Sequence, residues 1–330
     1  MKRATLNDIA KEVGVSKMSV SKALNGQYGV STEMAKKIKE TANRLDYTPN
    51  LMARGIKNME SKTIGVITSD SSHSFFPLVI KGIEETASVH GYNILLSNTN
   101  SDMQTEMNNI KMLISKRVDG IILVVSTLVG MEYKSFFEDC RIPIVFAVRR
   151  SEFDGFDCLV NDNVYGARMI TDYMINKGDR RVHFINLMEY SPSAKDRLLG
   201  YRLALEDNSI EFDKSLVSNI PHTIDDGKNT MKKILSEETP KAVFCGCDIV
   251  AIGAMEVLLN AGLRIPEDVR LGSYDNIAFS EYFKVPLTTV SQPKYEIGAE
   301  SAKAVIERIR KPGIPKTVLL KPELIIRKSC

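Results

Sequence analysis

TLNDIAKEVGVSKMSVSKALN, residues 5–25, begins with apolar side chains at helical spacing: Leu6, Ile9, Ala10 and Val13 fall on one face. Gly14 can close that helix, and Ser16 can cap a second one running through about Leu24. On the second helix Val20, Ala23 and Leu24 share a face, which leaves Lys17, Met18, Ser21 and Lys22 outside. Two short helices joined by a Gly-containing turn, the second offering lysines and hydroxyls outward, are the pattern of a DNA-reading helix-turn-helix. A small amphipathic hairpin used only for packing would show the same periodicity, but it has no need of a basic outer face.

Beyond this pair, Ser31-Thr32 opens a third helix with Met34, Ala35, Ile38, Ala42 and Leu45 on one face and Lys36, Lys37 and Lys39 exposed. Three helices in so few residues form a minimal headpiece, marginal alone. Pro49 ends it, and Asn50–Ile56 reads as one or two helical turns, too short to hold without a partner. Asn58–Lys62 is polar and reads as a linker. Residues 1–61 hold 11 Lys and Arg against 6 Asp and Glu, whereas residues 62–330 hold 33 against 35. The basic surplus therefore sits with the helices, as expected of a segment that meets phosphates.

From Thr63 the texture changes to short apolar runs alternating with amphipathic ones. TIGVIT (63–68), YNILLSN (92–98), GIILVV (120–125) and IPIVFA (142–147) read as strands, with helices near 77–90 and 102–116. A second set follows: RVHFIN (181–186), Ser215–Ile220, AVFCG (242–246) and RLGSYD (270–275), with helices near 194–208, 225–236 and 248–262. Buried strands alternating with helices imply parallel sheets covered on both faces, here in two similar lobes. Ligands in such sheets sit at the carboxyl ends of the strands.

Those ends carry Asp70 and Ser71 with Phe75-Phe76, then Arg149-Arg150, Asp162-Asn163, Arg197, Asp248 and Asp275-Asn276. The mix suits a small polyhydroxylated or anionic molecule. Asp248 and Asp162-Asn163 also directly precede helices and can serve as caps. Arg197 begins the apolar run RLLGYRLAL, a poor place for a cation beside the helix dipole, which favours a ligand role. Catalytic signatures are missing: there is no phosphate-binding glycine loop, nucleophile elbow or metal-binding His pair. His73, His90, His183 and His222 are isolated in sequence and read as ordinary residues. Five scattered cysteines make no disulfide framework, no apolar run approaches a membrane span, and the start of the chain lacks a signal peptide. The expectation is a cytoplasmic protein, not an enzyme, with no cofactor, no metal and no membrane contact.

These residues resemble the lactose/galactose-repressor (LacI/GalR) family along nearly the whole chain. Thr5–Asn25 meets the pattern T-L-x-D-I-A-x-x-x-G-V-S-x-x-x-V-S-x-x-L-N, continued by RLDYTPN (44–50) and ARGI (53–56). The core adds FFPLVIKGIEETA, RVDGIIL, DNVYGA, GYRLAL, DIVAIGAMEVL, IPEDVRLGSYDN and LTTVSQP. The resemblance implies a headpiece over residues 1–48, a hinge helix and linker over 49–61, and a periplasmic-binding-protein-like core over 62–330. That core would be a two-lobed doubly wound parallel-sheet effector domain. Lobe 1 would take about 62–160 and 292–321, and lobe 2 about 161–291 and 322–330.

It further implies a homodimer on a pseudo-palindromic operator in double-stranded DNA. Lys17, Met18 and Lys22 stand at base-reading positions, Thr5, Ser16, Ser21 and Asn25 at phosphate contacts, and Ala53, Arg54 and Ile56 at the minor-groove hinge. An effector between the lobes would meet Asp70, Phe75, Phe76, Arg149, Arg197, Cys247, Asp248 and Asp275. Lysine replaces the family's usual arginine at Lys22, Val148 replaces an aspartate often found before the arginine, and Cys247 replaces a usual asparagine. The losses remove groups that hold sugar hydroxyls, while Arg149 remains and Arg150 adds charge, so the expected effector is a sugar-type molecule other than a plain neutral sugar, such as a sugar acid or a phosphorylated sugar. The expected function is an effector-responsive repressor of carbohydrate-metabolism genes. The alternatives are a sugar-binding protein without DNA function, or a sugar-metabolising α/β enzyme with an appended headpiece.

Overall fold

The computed structural model describes residues 4–47, 60–128, 131–151, 153–188 and 191–330. The chain divides into two compact units, Met1–Ser61 and Lys62–Cys330. The first is built on α1 (Leu6–Val13), α2 (Lys17–Leu24) and α3 (Thr32–Arg44). Their apolar faces close over Ile9, Val13, Val20, Ala23, Ile38 and Ala42. Each start is fixed locally. Thr5 and Asp8 form a capping box, while the Ser16 and Ser31 hydroxyls accept from the Ser19 and Met34 amides. Gly14 ends α1 in the left-handed region (φ 77°), which lets the chain turn directly into α2. Ala53, Arg54 and Ile56 lie outside the described residues.

The second unit holds two six-stranded sheets. One comprises β1 (Thr63–Thr68), β2 (Asn93–Asn98), β3 (Gly120–Val124), β4 (Ile144–Ala147), β5 (Asp157–Asn161) and β11 (Thr317–Leu320), in the order β11-β5-β4-β3-β1-β2. The other comprises β6 (Val182–Leu187), β7 (Val217–Ile220), β8 (Ala242–Cys245), β9 (Arg270–Asp275), β10 (Thr288–Ser291) and β12 (Glu323–Ile325), in the order β12-β10-β9-β8-β6-β7. We call the bodies around them lobe 1 and lobe 2. All ladders are parallel except β10–β12. β3, β4, β5 and β8 are buried at every position, as strands covered on both faces must be.

Helices α4 (Phe76–Val89), α5 (Met103–Ser115) and α6 (Met131–Asp139) follow the first strands. Further on come α7 (Asn163–Asn176), α8 (Pro192–Asp207), α9 (Ile224–Glu237), α10 (Asp248–Asn260) and α11 (Lys294–Arg310). The crossing of α11 back onto α4 does most to assemble the cleft. A Cβ on Gly82 would collide with the Tyr295 carbonyl, and one on Gly298 with the Val79 carbonyl, so only glycine lets these backbones approach so closely. Their N-terminal ends, Phe76 and Lys294, are thereby drawn to the region between the lobes.

Three sequence expectations are corrected. α6, β5, β10, β11, β12 and α11 add to the expected elements; α11 buries Ile297, Ala302, Val305 and Ile306 at helical spacing, while β11 is an edge strand with three of its four residues exposed. The expected strand over Ser215–Ile220 begins as a single 3-10 turn, Lys214–Leu216, before β7. Helix α8 starts at Pro192, so Arg197 lies in its second turn rather than at its beginning, and is buried.

Candidate functional site

On the headpiece, α2 stands over its small core with Lys17 and Met18 exposed, Met18 to 69%. A methionine left in water above a closed core is informative, since the same side chain would gain about 1.5–3 kcal/mol by burial. Lys22 is half-buried, its ammonium lying beside Gly29. Thr5 and Ser16 are occupied as caps: the Thr5 hydroxyl donates to Asp8 at 2.7 Å, and Ser16 Oγ accepts from the Ser19 amide at 3.1 Å. Asn25 Nδ2 donates to Ser21 Oγ at 3.4 Å. These hydroxyls can meet a phosphate only alongside those bonds, together with the free amides of the helix starts. Tyr28, unnoticed in the sequence, is fully exposed just beyond α2.

In lobe 2 the strand-end residues form a buried network. Arg197 donates from Nε to Asn163 at 3.0 Å and from Nη1 to the Gly246 carbonyl, and its Nη2 lies 3.6 Å from Asp275 Oδ1. Its guanidinium also sits 3.8 Å above the Tyr274 ring. Tyr274 in turn accepts from Asn161 at 2.7 Å, reaching into lobe 1. Asp275, held at φ 105°, accepts a second bond from Gln292 at 2.6 Å, and Lys294 Nζ donates to the carbonyls of Asp275 and Asn276. Burial holds the Lys294 pKa below the ordinary lysine value, with Asp275 and Asp248 opposing.

Asp248 is fully buried, and both its oxygens are engaged: one accepts from the Ile277 amide at 2.8 Å, the other from the Thr289 hydroxyl at 2.7 Å. Burial, then Asp275, push its pKa up to about 7. It ties α10 to the turn that presents Asp275, so it positions the wall. Cys247 beside it is a buried thiol pushed up to about 12 by burial. Asp162 caps α7, accepting from the Tyr165 amide at 2.9 Å.

Lobe 1 is more open. Asp70 accepts from the Ser72 amide and hydroxyl, and these bonds hold its carboxyl below the usual range. Ser71 and Asn98 exchange bonds at 3.1 and 3.0 Å, locking the ends of β1 and β2 together. Arg149 is half-buried and donates to the Ser126 carbonyl at 3.2 Å. Val148 and Val125, just past the ends of β4 and β3, take φ 69° and 62°. A β-branched residue is costly there, and an aspartate at Val148 would be less so. Phe75 and Phe76, expected to meet an effector, are buried in the lobe 1 core.

Two histidines that look isolated in sequence meet here. His73, in the loop after β1, and His222, after β7, lie with ring centroids 6.3 Å apart at a steep angle. Sequence reasoning also passed over Asn98 and Asn161, the last residues of β2 and β5, Gln292, which follows β10, and Lys294 at the start of α11. Among the described residues, no group of three or more His, Cys, Asp or Glu side chains could hold a metal ion. No described helix is long and apolar enough to cross a membrane.

Comparison with known proteins finds family matches to both parts of the chain. Residues 5–50 match the bacterial regulatory proteins of the lacI family, and residues 61–326 match the periplasmic binding proteins and sugar binding domain of the LacI family. The chain is 33% identical to the HTH-type transcriptional regulator RegA of Clostridium acetobutylicum, over 99% of each chain. It is also similar to the transcriptional regulator CelR in complex with cellobiose, at 27% identity and a TM-score of 0.76, covering 99% of this chain and 100% of that one. The Lac repressor dimer bound to operator shares the fold, with a TM-score of 0.90 over 99% of both chains at 24% identity.

Proposed function

The chain belongs to the lacI family of bacterial regulatory proteins, and we propose that it acts in the cytoplasm as a homodimeric repressor of carbohydrate-metabolism genes. Lys17, Met18 and Lys22 read bases in the major groove of a pseudo-palindromic operator. Thr5, Ser16, Ser21 and Asn25 hold phosphates, and Ala53, Arg54 and Ile56 form the minor-groove hinge. The observation that carries the reading is the exposed Met18–Lys17 face of α2 above a closed three-helix core, joined in one chain to a two-lobed cleft with Arg197 and Asp275 at its base. Lysine donates to guanine O6 and N7 without the fork of arginine, which suits a recognition face that differs from its relatives.

The effector is a sugar-type molecule with an acidic group. Asp70 and Asp275 suit hydroxyls, and Arg149 suits the acid. Val148 beside it has no polar atom to compete for either. The two lobes give the effector a route to the DNA, because closing them on a ligand changes the spacing of whatever they carry. Sequencing genomic fragments bound by the full chain, with and without sugar acids and sugar phosphates, tests the reading. The expected result is a small set of related half-sites whose recovery changes with one of these acids. Calorimetry in which neutral hexoses bind tightly and sugar acids do not would overturn the effector assignment.

A further inference from the structure

We propose that His73 and His222 form a proton-operated clasp between the lobes, so that the cleft opens as the medium acidifies from neutrality. The inference concerns regulation of the cleft and rests on reading it as the effector site.

The two rings come from opposite lobes. His73 follows β1 and is held in place: its Nδ1 accepts from the Phe75 amide at 3.3 Å, and its ring lies 5.5 Å from that of Phe76. That bond leaves Nε2 as the protonated nitrogen of the neutral ring. His222 stands in the exposed loop between β7 and α9, with its ring at a 74° angle to that of His73. An edge-to-face contact between neutral rings is favourable; a proton on His222 replaces it with a positive charge facing His73 and Arg149 of lobe 1. Arg150 of lobe 1 and Asp196 of α8 form a second bridge at 3.9 Å, with Arg150 nearly half-exposed. An exposed pair at that distance contributes little. The buried bonds of Tyr274, Asp275 and Asn276 to Asn161, Gln292 and Lys294 tie the lobes at the base of the cleft, which leaves its outer edge, where the histidines stand, lightly held.

The direction of the response depends on which lobe carries each neighbour. Desolvation of the ring where the lobes meet is the largest influence on His222 and lowers its pKa below the ordinary imidazole value; His73 and Arg149 act in the same sense, while Asp275 and Asp226 oppose them. His73 and Arg149 stand on lobe 1 and move away when the cleft opens. Asp275 and Asp226 stand on lobe 2 with His222 and stay. Asp70, which faces His73, stays with it on lobe 1. The open form therefore binds the proton more tightly than the closed one. The closed form keeps its advantage above the ordinary imidazole pKa and loses it as pH falls through that range.

The test measures lobe separation in the full chain without any effector. Nitroxides are placed on Lys111→Cys, in α5, and Lys232→Cys, in α9, both exposed positions, in a Cys140→Ser, Cys330→Ser background. Electron–electron distance measurements are then made from about pH 8 to about pH 5.5. The expected result is a rise of about threefold to tenfold in the ratio of long to short distances on acidification. His222→Gln and His73→Gln should each abolish that rise. Asp196→Asn should raise the open fraction throughout while leaving the histidine step in place. Distances that do not respond to pH in the native chain, or a response that survives His222→Gln, would overturn the clasp. If the response is present but gluconate and glucose 6-phosphate fail to bind at any pH, the acidic-effector reading fails and the clasp stands.

Discussion

In lobe 2 the charged groups of the cleft are buried and hold one another: Arg197, Asp275 and Asp248 are all at most 6% exposed, and each has protein partners on more than one side. In lobe 1 their counterparts, Asp70 and Arg149, are half-buried, and Asp70 is braced within its own turn. The first wall is prepared by folding; the second can adapt to what binds. Substitutions in lobe 2 should therefore damage stability and binding together, while those in lobe 1 should damage binding alone. The headpiece repeats the contrast on a smaller scale, with Ile9, Val20 and Ile38 fully buried under an α2 face that meets solvent.

The largest effect expected from this contrast is at Arg197. Arg197→Met leaves Asp275 and Asn163 without their partner and should destabilise the core by about 3–5 kcal/mol in denaturant unfolding. Arg149→Met should change it by no more than about 1 kcal/mol while weakening binding of acidic probes. Equal losses at the two sites would erase the distinction between the walls.

Asp248 gives the buried wall a pH dependence. Its carboxyl is raised by burial from an ordinary carboxylate value to about 7 in the fold. Its contribution to stability is thus complete below the unfolded pKa of about 4 and lost as pH rises through about 7. Unfolding midpoints of the native chain should fall between those limits relative to Asp248→Asn, whose amide can accept from Ile277 and donate to Thr289. Parallel midpoints across that range would mean the carboxylate is better solvated than the structure indicates.

On the headpiece, Lys22→Ala should relax base preference at one position of each half-site by about 1–3 kcal/mol, with the core unaffected. An equal loss on every DNA sequence would reduce Lys22 to a phosphate contact. Smallest is Ser16→Ala, which removes the cap on α2 and should lower headpiece stability by about 1 kcal/mol, read by the helical signal on heating.

The same contrast explains how much of the molecule is legible in its sequence. α1, α2 and α3 are legible because their signals act within a turn: Thr5 with Asp8, Ser16 with Ser19, Ser31 with Met34, each followed by an apolar face. The alternating strands of both lobes are legible for a similar reason, since β3, β4 and β8 are continuous apolar runs. The cleft is legible only in part. Asp70, Arg149 and Asp275 stand directly at strand ends, where sequence can point. Gln292 and Lys294 reach Asp275 only because β10 pairs with β9 (Ser291 opposite Asp275), and His73 meets His222 only because two lobes fold against each other. β11 and β12 are short and largely uncovered, so burial leaves no pattern in them.

The central claim is that what binds between the walls changes what the headpiece holds. It is tested most directly by the dissociation constant of the selected operator, measured by fluorescence anisotropy with and without a sugar acid that calorimetry shows to bind the chain. The account predicts a change of about 5-fold to 150-fold, abolished by Arg149→Met. An operator affinity unmoved by an acid that binds the cleft would contradict it.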